Sequence, residues 1–226
     1  MLLALDTATQ QAGCAVYGES GVVAELAWQA GRNHSRDLES GVQEILRLAR
    51  LTFRDLSSVA VASGPGSFSG VRVGIAYAKG LCLARDIPLA GISTLDILGY
   101  QASALSASVT AVLSAGRGDV YAARYEGRGE SWHRLSDYAL LPVHAAAEMA
   151  SGSLLIGDGA RDVADAASGE GLDAREAPAL WQWRRPGFLA KLGQSYLDTG
   201  GADLRETLEP LYLRRSAAEE SRAAGG

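Results

Sequence analysis

The sequence has little of what metal, redox or membrane chemistry needs. Histidine occurs three times in 226 residues, at His34, His133 and His144. No two of these are four residues apart, so no helix face carries the HxxxH or HExxH pair that holds a catalytic zinc or iron. Cysteine occurs twice, as Cys14 and Cys82, each alone in an apolar segment. Without a CxxC or a Cys/His cluster, both read as small core residues. There is no GxSxG nucleophile elbow, and the one glycine-rich stretch lacks the lysine of a P-loop. No run of about 18 apolar residues exists to span a bilayer. Positive charge is also short, with 21 Lys and Arg against 26 Asp and Glu for a net −5. An autonomous nucleic-acid binder shows a basic footprint, so any RNA contact is expected to be local or borrowed from a partner. The opening Met1-Leu2-Leu3-Ala4-Leu5-Asp6 has no basic lead and meets a carboxylate early, unlike a secretory leader, and the expected compartment is the cytoplasm.

What is present is a globular mix, 47% apolar and 21% charged, long enough for one large domain or two small ones. Leu2–Leu5, Ala12–Gly18 and Val22–Trp28 are apolar runs separated by turn-forming residues and read as a three-strand meander. Ser35 can cap a following helix whose apolar positions Leu38, Val42, Ile45, Leu46 and Ala49 share one face. A strand is expected at Ser58–Ala62, a helix over Val71–Arg85 and a strand at Leu89–Ile92. The second half repeats the opening: Val109–Leu113 and Asp119–Tyr125 echo the first two strands, with a third expected at Glu130–Leu135. Helices follow near His144–Ala150, Arg161–Ala167 and Phe188–Thr199, with a strand at Ser153–Ile156. A meander followed by alternating helices and strands, present twice, predicts an α/β chain of two ribonuclease-H-like domains with a cleft between them. The expected division is 1–104, 105–215 and a frayed tail, 216–226.

Two loops carry candidate chemistry. Asp6-Thr7-Ala8-Thr9 ends the first strand with a carboxylate and hydroxyls, and either approaches phosphate with the Asp near a metal or is a self-bonded turn. Gly64-Pro65-Gly66-Ser67-Phe68-Ser69-Gly70 precedes a helix and either holds an anion at the helix N-terminus or packs that helix closely. Asp6, Thr7, Gly66, Ser67 and Gly70 are thus the residues of a candidate nucleotide loop. The helix after the loop bears only Arg72, Lys79 and Arg85 as charges. Val71, Ile75, Ala78 and Cys82 line one side of it, and Val73, Tyr77, Gly80 and Ala84 another. An all-round apolar helix must be covered twice, once by its own sheet and once, on the favoured reading, by a partner. His34 at a helix start reads as a solvated or capping residue before it reads as a ligand. Trp181-Gln182-Trp183-Arg184-Arg185-Pro186 could stack on bases, but packing of the two indoles beside a solvated Arg pair is the better account. Glu209–Arg215 ends in two cations that bind an anion or mark the edge of the fold.

Several of these strings resemble one family: Leu3–Thr9, Asn33-His34-Ser35, Gly64–Gly74, Gly91–Leu95 and Glu209–Arg214 are similar to the TsaB (YeaZ) family over nearly the whole chain. The resemblance implies the actin-like (ASKHA) fold. It also implies a role in making threonylcarbamoyladenosine, the modified base beside the anticodon of tRNAs reading codons that begin with A. The family implies no catalytic residue and no metal in this chain. Catalysis is expected in TsaD, a paralogue with a histidine metal motif that this sequence lacks. TsaD would pair with the two helices of the first domain through Leu38, Val42, Val71, Val73, Tyr77, Gly80 and Ala84, a second copy taking that face in its absence. TsaE, a small ATPase, would join the complex, and tRNA would be reached only through it. No cofactor is expected to be required, although ATP or ADP at the partner interface is compatible with the resemblance. One departure stands out: Ser114 occupies the place where relatives carry an aspartate, and Asp119 lies too far along to replace it. The rival readings are an actin-like ATPase or kinase using its own cleft, and a peptidase, for which neither metal ligands nor a nucleophile motif is present.

Overall fold

The computed structural model describes residues 1–30 and 34–214, and for residues 34, 35 and 130 the backbone alone. Its first lobe is built on β1 (Leu2–Asp6), β2 (Gln11–Gly18), β3 (Gly21–Gln29), β4 (Ser58–Ala62) and β5 (Leu89–Ile92), in the spatial order β3-β2-β1-β4-β5. The first three strands form the antiparallel meander, and β4 and β5 add parallel to β1. Parallel steps need crossovers, which α1 (His34–Ala49) and α2 (Phe68–Arg85) supply. Every residue of β1 and β4 is buried, which is why both read as unbroken apolar runs instead of alternations. Helix α1 begins at His34, so Ser35 lies inside it instead of capping it; Asn33 and the tail 216–226 fall outside the described residues.

After β5, α3 (Thr94–Ala102) leads to β6 (Ser108–Gly116), β7 (Asp119–Glu126), β8 (His133–Arg134), β9 (Ala139–Pro142), α4 (Val143–Met149), β10 (Ser153–Ile156), α5 (Ala160–Gly169), β11 (Ala174–Glu176) and α6 (Pro186–Asp198). The second sheet runs β11-β10-β6-β7, with β8 and β9 sharing the free edge of β7. This is the first sheet's topology again, so the duplication is present in three dimensions. The expected third strand at Glu130–Leu135 is corrected to this split pair. Gly129–Ser131 forms a 3-10 turn in which Ser131 bonds Arg128, His133–Arg134 then pairs with Tyr125 and Glu126, and the edge resumes where Ala139–Pro142 meets Asp119–Ala122.

Helices α3 and α6 lie between the two sheets and touch each other, Tyr100 edge-on to Phe188 at 5.9 Å between ring centroids. Successive β-strand residues point to opposite faces. In β4, Val61 faces α2 and Ala60 faces α6. In β6, Val109, Ala111 and Leu113 join the core under α3, while Val112 joins the core under α4 and α5. The lobes therefore do not follow a single cut of the chain. Helix α3 comes directly after the first sheet yet packs on the second, and α6 comes after the second sheet yet covers the first. Both cysteines lie in the first lobe's core, where burial pushes their thiols up to about 12, so neither is a thiolate at neutral pH. Among the described residues no helix is long and apolar enough to cross a membrane.

Candidate functional site

The central strand β1 delivers Asp6 to the closed end of the cleft between the lobes, where its residue is only 2% exposed. An isolated buried carboxylate would be costly, and here it is saturated. Its Oδ1 accepts the Ala8 N–H at 3.0 Å and Arg184 Nη2 at 3.1 Å, while Oδ2 accepts Arg184 Nε. Arg184 is itself 4% exposed, and its Nη2 also donates to Thr9 Oγ1 at 3.1 Å. The expectation that this arginine is solvated is therefore corrected. The Trp181–Pro186 segment crosses between the lobes, and packing and polar contacts on both sides bury the guanidinium. Sequence reasoning missed this partner, and the available signal was physical: a carboxylate at the end of a fully buried strand requires a counter-charge from somewhere.

Above that pair lies a cleft of about 490 Å³ lined by Thr9, Gln11, Ser67, Ser114, Asp158 and Trp183 among others. Asp158 is the one charged group among its described lining residues. It follows β10 in Gly157-Asp158-Gly159, the second lobe's counterpart of Gly64-Pro65-Gly66 after β4, and its Oδ1 accepts the Ser114 N–H at 2.8 Å. Water reaches the side chain, yet the surrounding cleft walls desolvate it enough to hold its carboxyl above the ordinary range, opposed by the Ser114 N–H and by the charge of Arg184. The second-lobe carboxylate missing at Ser114 is thus supplied from another strand end. Asp119 does not serve the cleft, because it pairs with Arg214.

The glycine loop explains itself by packing. A Cβ on Gly66 would lie 2.0 Å from the Ala8 carbonyl, one on Gly70 2.1 Å from the Thr7 carbonyl, and one on Gly74 2.6 Å from Thr7 Oγ1. Thr7 donates its hydroxyl to the Gly70 carbonyl at 2.7 Å, and the Ser67 N–H donates to Ala8 at 2.6 Å. Ser67 caps α2 by accepting from Gly70 N–H. Asp6, Thr7, Gly66, Ser67 and Gly70 are therefore brought together, as a close joint between the β1–β2 turn and α2. A magnesium–nucleotide does not fit these residues: the cleft's first carboxylate already has its cation, no lysine or arginine is among the described lining residues, and the loop is closed on Thr7 and Ala8. No group of three or more His, Cys, Asp or Glu that could hold a metal exists among the described residues.

Helix α2 presents a second candidate surface. Leu38, Val42 and Val71, expected to meet a partner, are corrected: they are buried in the first lobe's own core and have no surface to offer. Val73 and Tyr77 are half-buried, with Gly80 and Ala84 exposed beside them. Ala76 and Leu83 extend this stripe, Leu83 at 59% exposure. Tyr77 lies close to Glu39 of α1, and burial first and that carboxylate second hold its phenol above the usual range. At the helix's start, the Arg72 guanidinium lies 3.8 Å over the Phe68 ring and donates to the Tyr212 hydroxyl at 2.7 Å, while Phe68 and Tyr212 stack at 5.0 Å. The C-terminal segment is thus a strap, with Tyr212 on the first lobe and Arg214 on Asp119 and the Ala115 carbonyl of the second.

The family model described as TsaD, tRNA N6-adenosine threonylcarbamoyltransferase, matches residues 2–171. The tRNA threonylcarbamoyladenosine biosynthesis protein TsaB of Escherichia coli is 31% identical over 225 residues, 96% of each chain. The solved structure of YeaZ from Pseudomonas aeruginosa superposes with a TM-score of 0.79 at 23% identity, covering 93% of this chain and 99% of that one. A component of the (R)-2-hydroxyglutaryl-CoA dehydratase of Acidaminococcus fermentans shares the fold alone, with a TM-score of 0.51 at 11% identity over 84% of this chain and 96% of that one.

Proposed function

Because the chain belongs to the TsaB (YeaZ) family, with its actin-like fold and its part in tRNA threonylcarbamoyladenosine biosynthesis, we propose that it acts there as a non-catalytic pairing partner and activator of TsaD. The observation that carries this reading is the outward stripe of α2. Ala76, Gly80, Leu83 and Ala84, flanked by Val73 and Tyr77, form an apolar helix face without a charge inside it. Small residues at spacings of three and four allow another helix to approach closely, and a contiguous exposed apolar patch marks a protein contact. In isolation a second copy takes this face; in the working complex TsaD does, with TsaE joining the pair. The net charge of −5 and the amide-lined cleft support reaching tRNA, those reading codons that begin with A, only through the complex. The reading places the work in the cytoplasm and requires no cofactor of this chain, leaving any ATP or ADP to the partner interface.

The rival reading, an ATPase using its own cleft, draws support from Asp158, which gives the second lobe a carboxylate at the right wall. It is disfavoured by Arg184, which already neutralises Asp6. Reconstituted tRNA modification with and without this chain, using TsaD and TsaE, tests the proposal: activity is expected only with it. Nucleotide titration of the isolated chain with magnesium separates the two readings, since tight binding with turnover would establish the ATPase.

A further inference from the structure

The Trp181–Gly187 segment is anchored to the second lobe before Arg184 and to both lobes after it, where the Arg185 N–H donates to Gln101 Oε1 at 3.0 Å. Gln182 accepts the Gly157 N–H at 2.7 Å and donates to the Ala177 carbonyl at 3.0 Å. The buried Gln101 amide of α3 donates to the carbonyls of Trp181 and Trp183 at 2.7 and 3.0 Å. Beyond Arg184, Arg185 pairs with Glu25, and the Gly187 N–H donates to the same carboxylate at 2.9 Å. Arg184 itself enters the first lobe. Its N–H donates to Gln11 Oε1 at 3.0 Å, and its side chain reaches Asp6 from 178 residues away in the chain. Two lobes joined by crossing segments hinge unless something in the cleft holds them. An external cation on Asp6 would do so, and here the cation is tethered.

We propose that Arg184 is a built-in ligand of the cleft: its guanidinium takes the place of an external cation on Asp6 and fixes the angle between the lobes, so that the closed arrangement needs neither nucleotide nor metal. The planar fork suits this task better than an ammonium, because Nε and Nη2 engage both carboxylate oxygens while Nη2 also reaches Thr9. The claim concerns the chain alone and stands or falls independently of which protein covers α2.

The test is a distance measurement across the cleft. Arg47 on α1 and Arg161 on α5 have side chains 68% and 74% exposed, and the native cysteines are buried, so spin labels at Arg47→Cys and Arg161→Cys report the lobe-to-lobe distance. The otherwise unaltered chain is expected to give one narrow distribution, unchanged by magnesium and ATP. In Arg184→Ala the distribution should broaden and the melting temperature fall by roughly 10 °C, the scale for breaking a buried ion pair in a chain of this length. Guanidinium at about 20 mM should narrow it again by filling the vacated place, whereas equal sodium or magnesium should not. If Arg184→Ala does not fold, Arg184→Lys keeps the charge without the fork and should also broaden. A distribution that stays narrow in the variant that folds would overturn the proposal. So would one that broadens but responds equally to every salt.

Discussion

Gly80→Glu is the perturbation that bears hardest on the α2 surface. A Cβ at Gly80 meets nothing within 4 Å, and the position is exposed, so a glutamate there starts into open space and can reach solvent in the free chain. Replacing a mid-helix glycine by glutamate should stabilise α2 slightly, by about 0.5 kcal/mol, leaving the melting temperature equal or a little higher. At a docked interface the same carboxylate would sit among Ala76, Tyr77, Leu83 and Ala84 with no partner. An uncompensated buried charge costs about 3–5 kcal/mol, which corresponds to roughly a hundredfold to a few thousandfold loss of affinity. Calorimetric titration with TsaD and sedimentation of the free chain read the two contacts separately, and both should weaken while the melt does not. Gly169→Glu, at another open helical position but on α5 of the second lobe, should leave both unchanged. Wild-type affinity in a folded Gly80→Glu chain would refute the reasoning, and equal losses in both variants would show a nonspecific charge effect instead.

Three further outcomes follow from the cleft. Asp6→Ala strands the buried Arg184 cation and should cost about 3–5 kcal/mol in denaturant unfolding, whereas Asp6→Asn with Arg184→Gln should cost far less than the sum of the two single changes. Gly70→Ala must push a methyl group against the Thr7 carbonyl and should lose about 1–3 kcal/mol or more in the same assay, while Gly80→Ala should gain up to about 1 kcal/mol. Because the folded chain holds Asp158 above its ordinary value of 3.8, ionising it opposes folding. The wild type should lose stability relative to Asp158→Asn as pH rises from that value through the raised one, and the difference should level off above it; melts across pH 3 to 7, a window set by ordinary carboxylate titration, that run parallel would contradict the assignment.

Legibility followed burial and range. The central strands β1, β2 and β4 are legible nearly to the residue because they are apolar nearly throughout, and the edge strands β3 and β5 because turn formers bound them. Helix α3 escaped notice because Thr94–Ala102 is buried on nearly every side, leaving no period to detect. Strand β11 is three residues, Ala174-Arg175-Glu176, at a sheet edge, and its pairing with β10 rather than its composition makes it a strand. In the candidate site, the glycine signature was visible as a tight joint, but what it closes on, Thr7 and Ala8, lies some 60 residues away. Leu38 and Val42 are expected at a partner because the resemblance names α1 as a pairing helix without naming which of its faces pairs, and its apolar face is covered by the first lobe's own core. Asp158 carries a local signal in the Gly-Asp-Gly that follows β10, matching the glycine turn that follows β4, but it lies 44 residues beyond Ser114 and well past Asp119, where the resemblance directs attention.

The exchange of α3 and α6 between the lobes bears on how the protein emerges during synthesis. The underside of the first sheet, where Leu2 and Ala60 meet Gly193 of α6, has no cover until residues 186–198 have been translated, although all five of its strands are complete by residue 92. While the residues between β5 and the end of α6 are translated, the nascent chain therefore carries a finished sheet with one bare apolar face. Long-range closure of this kind is slow and leaves folding intermediates open to aggregation. The first sheet is thus made before the second and covered only after it, and a fragment ending at residue 104 would carry that bare face permanently.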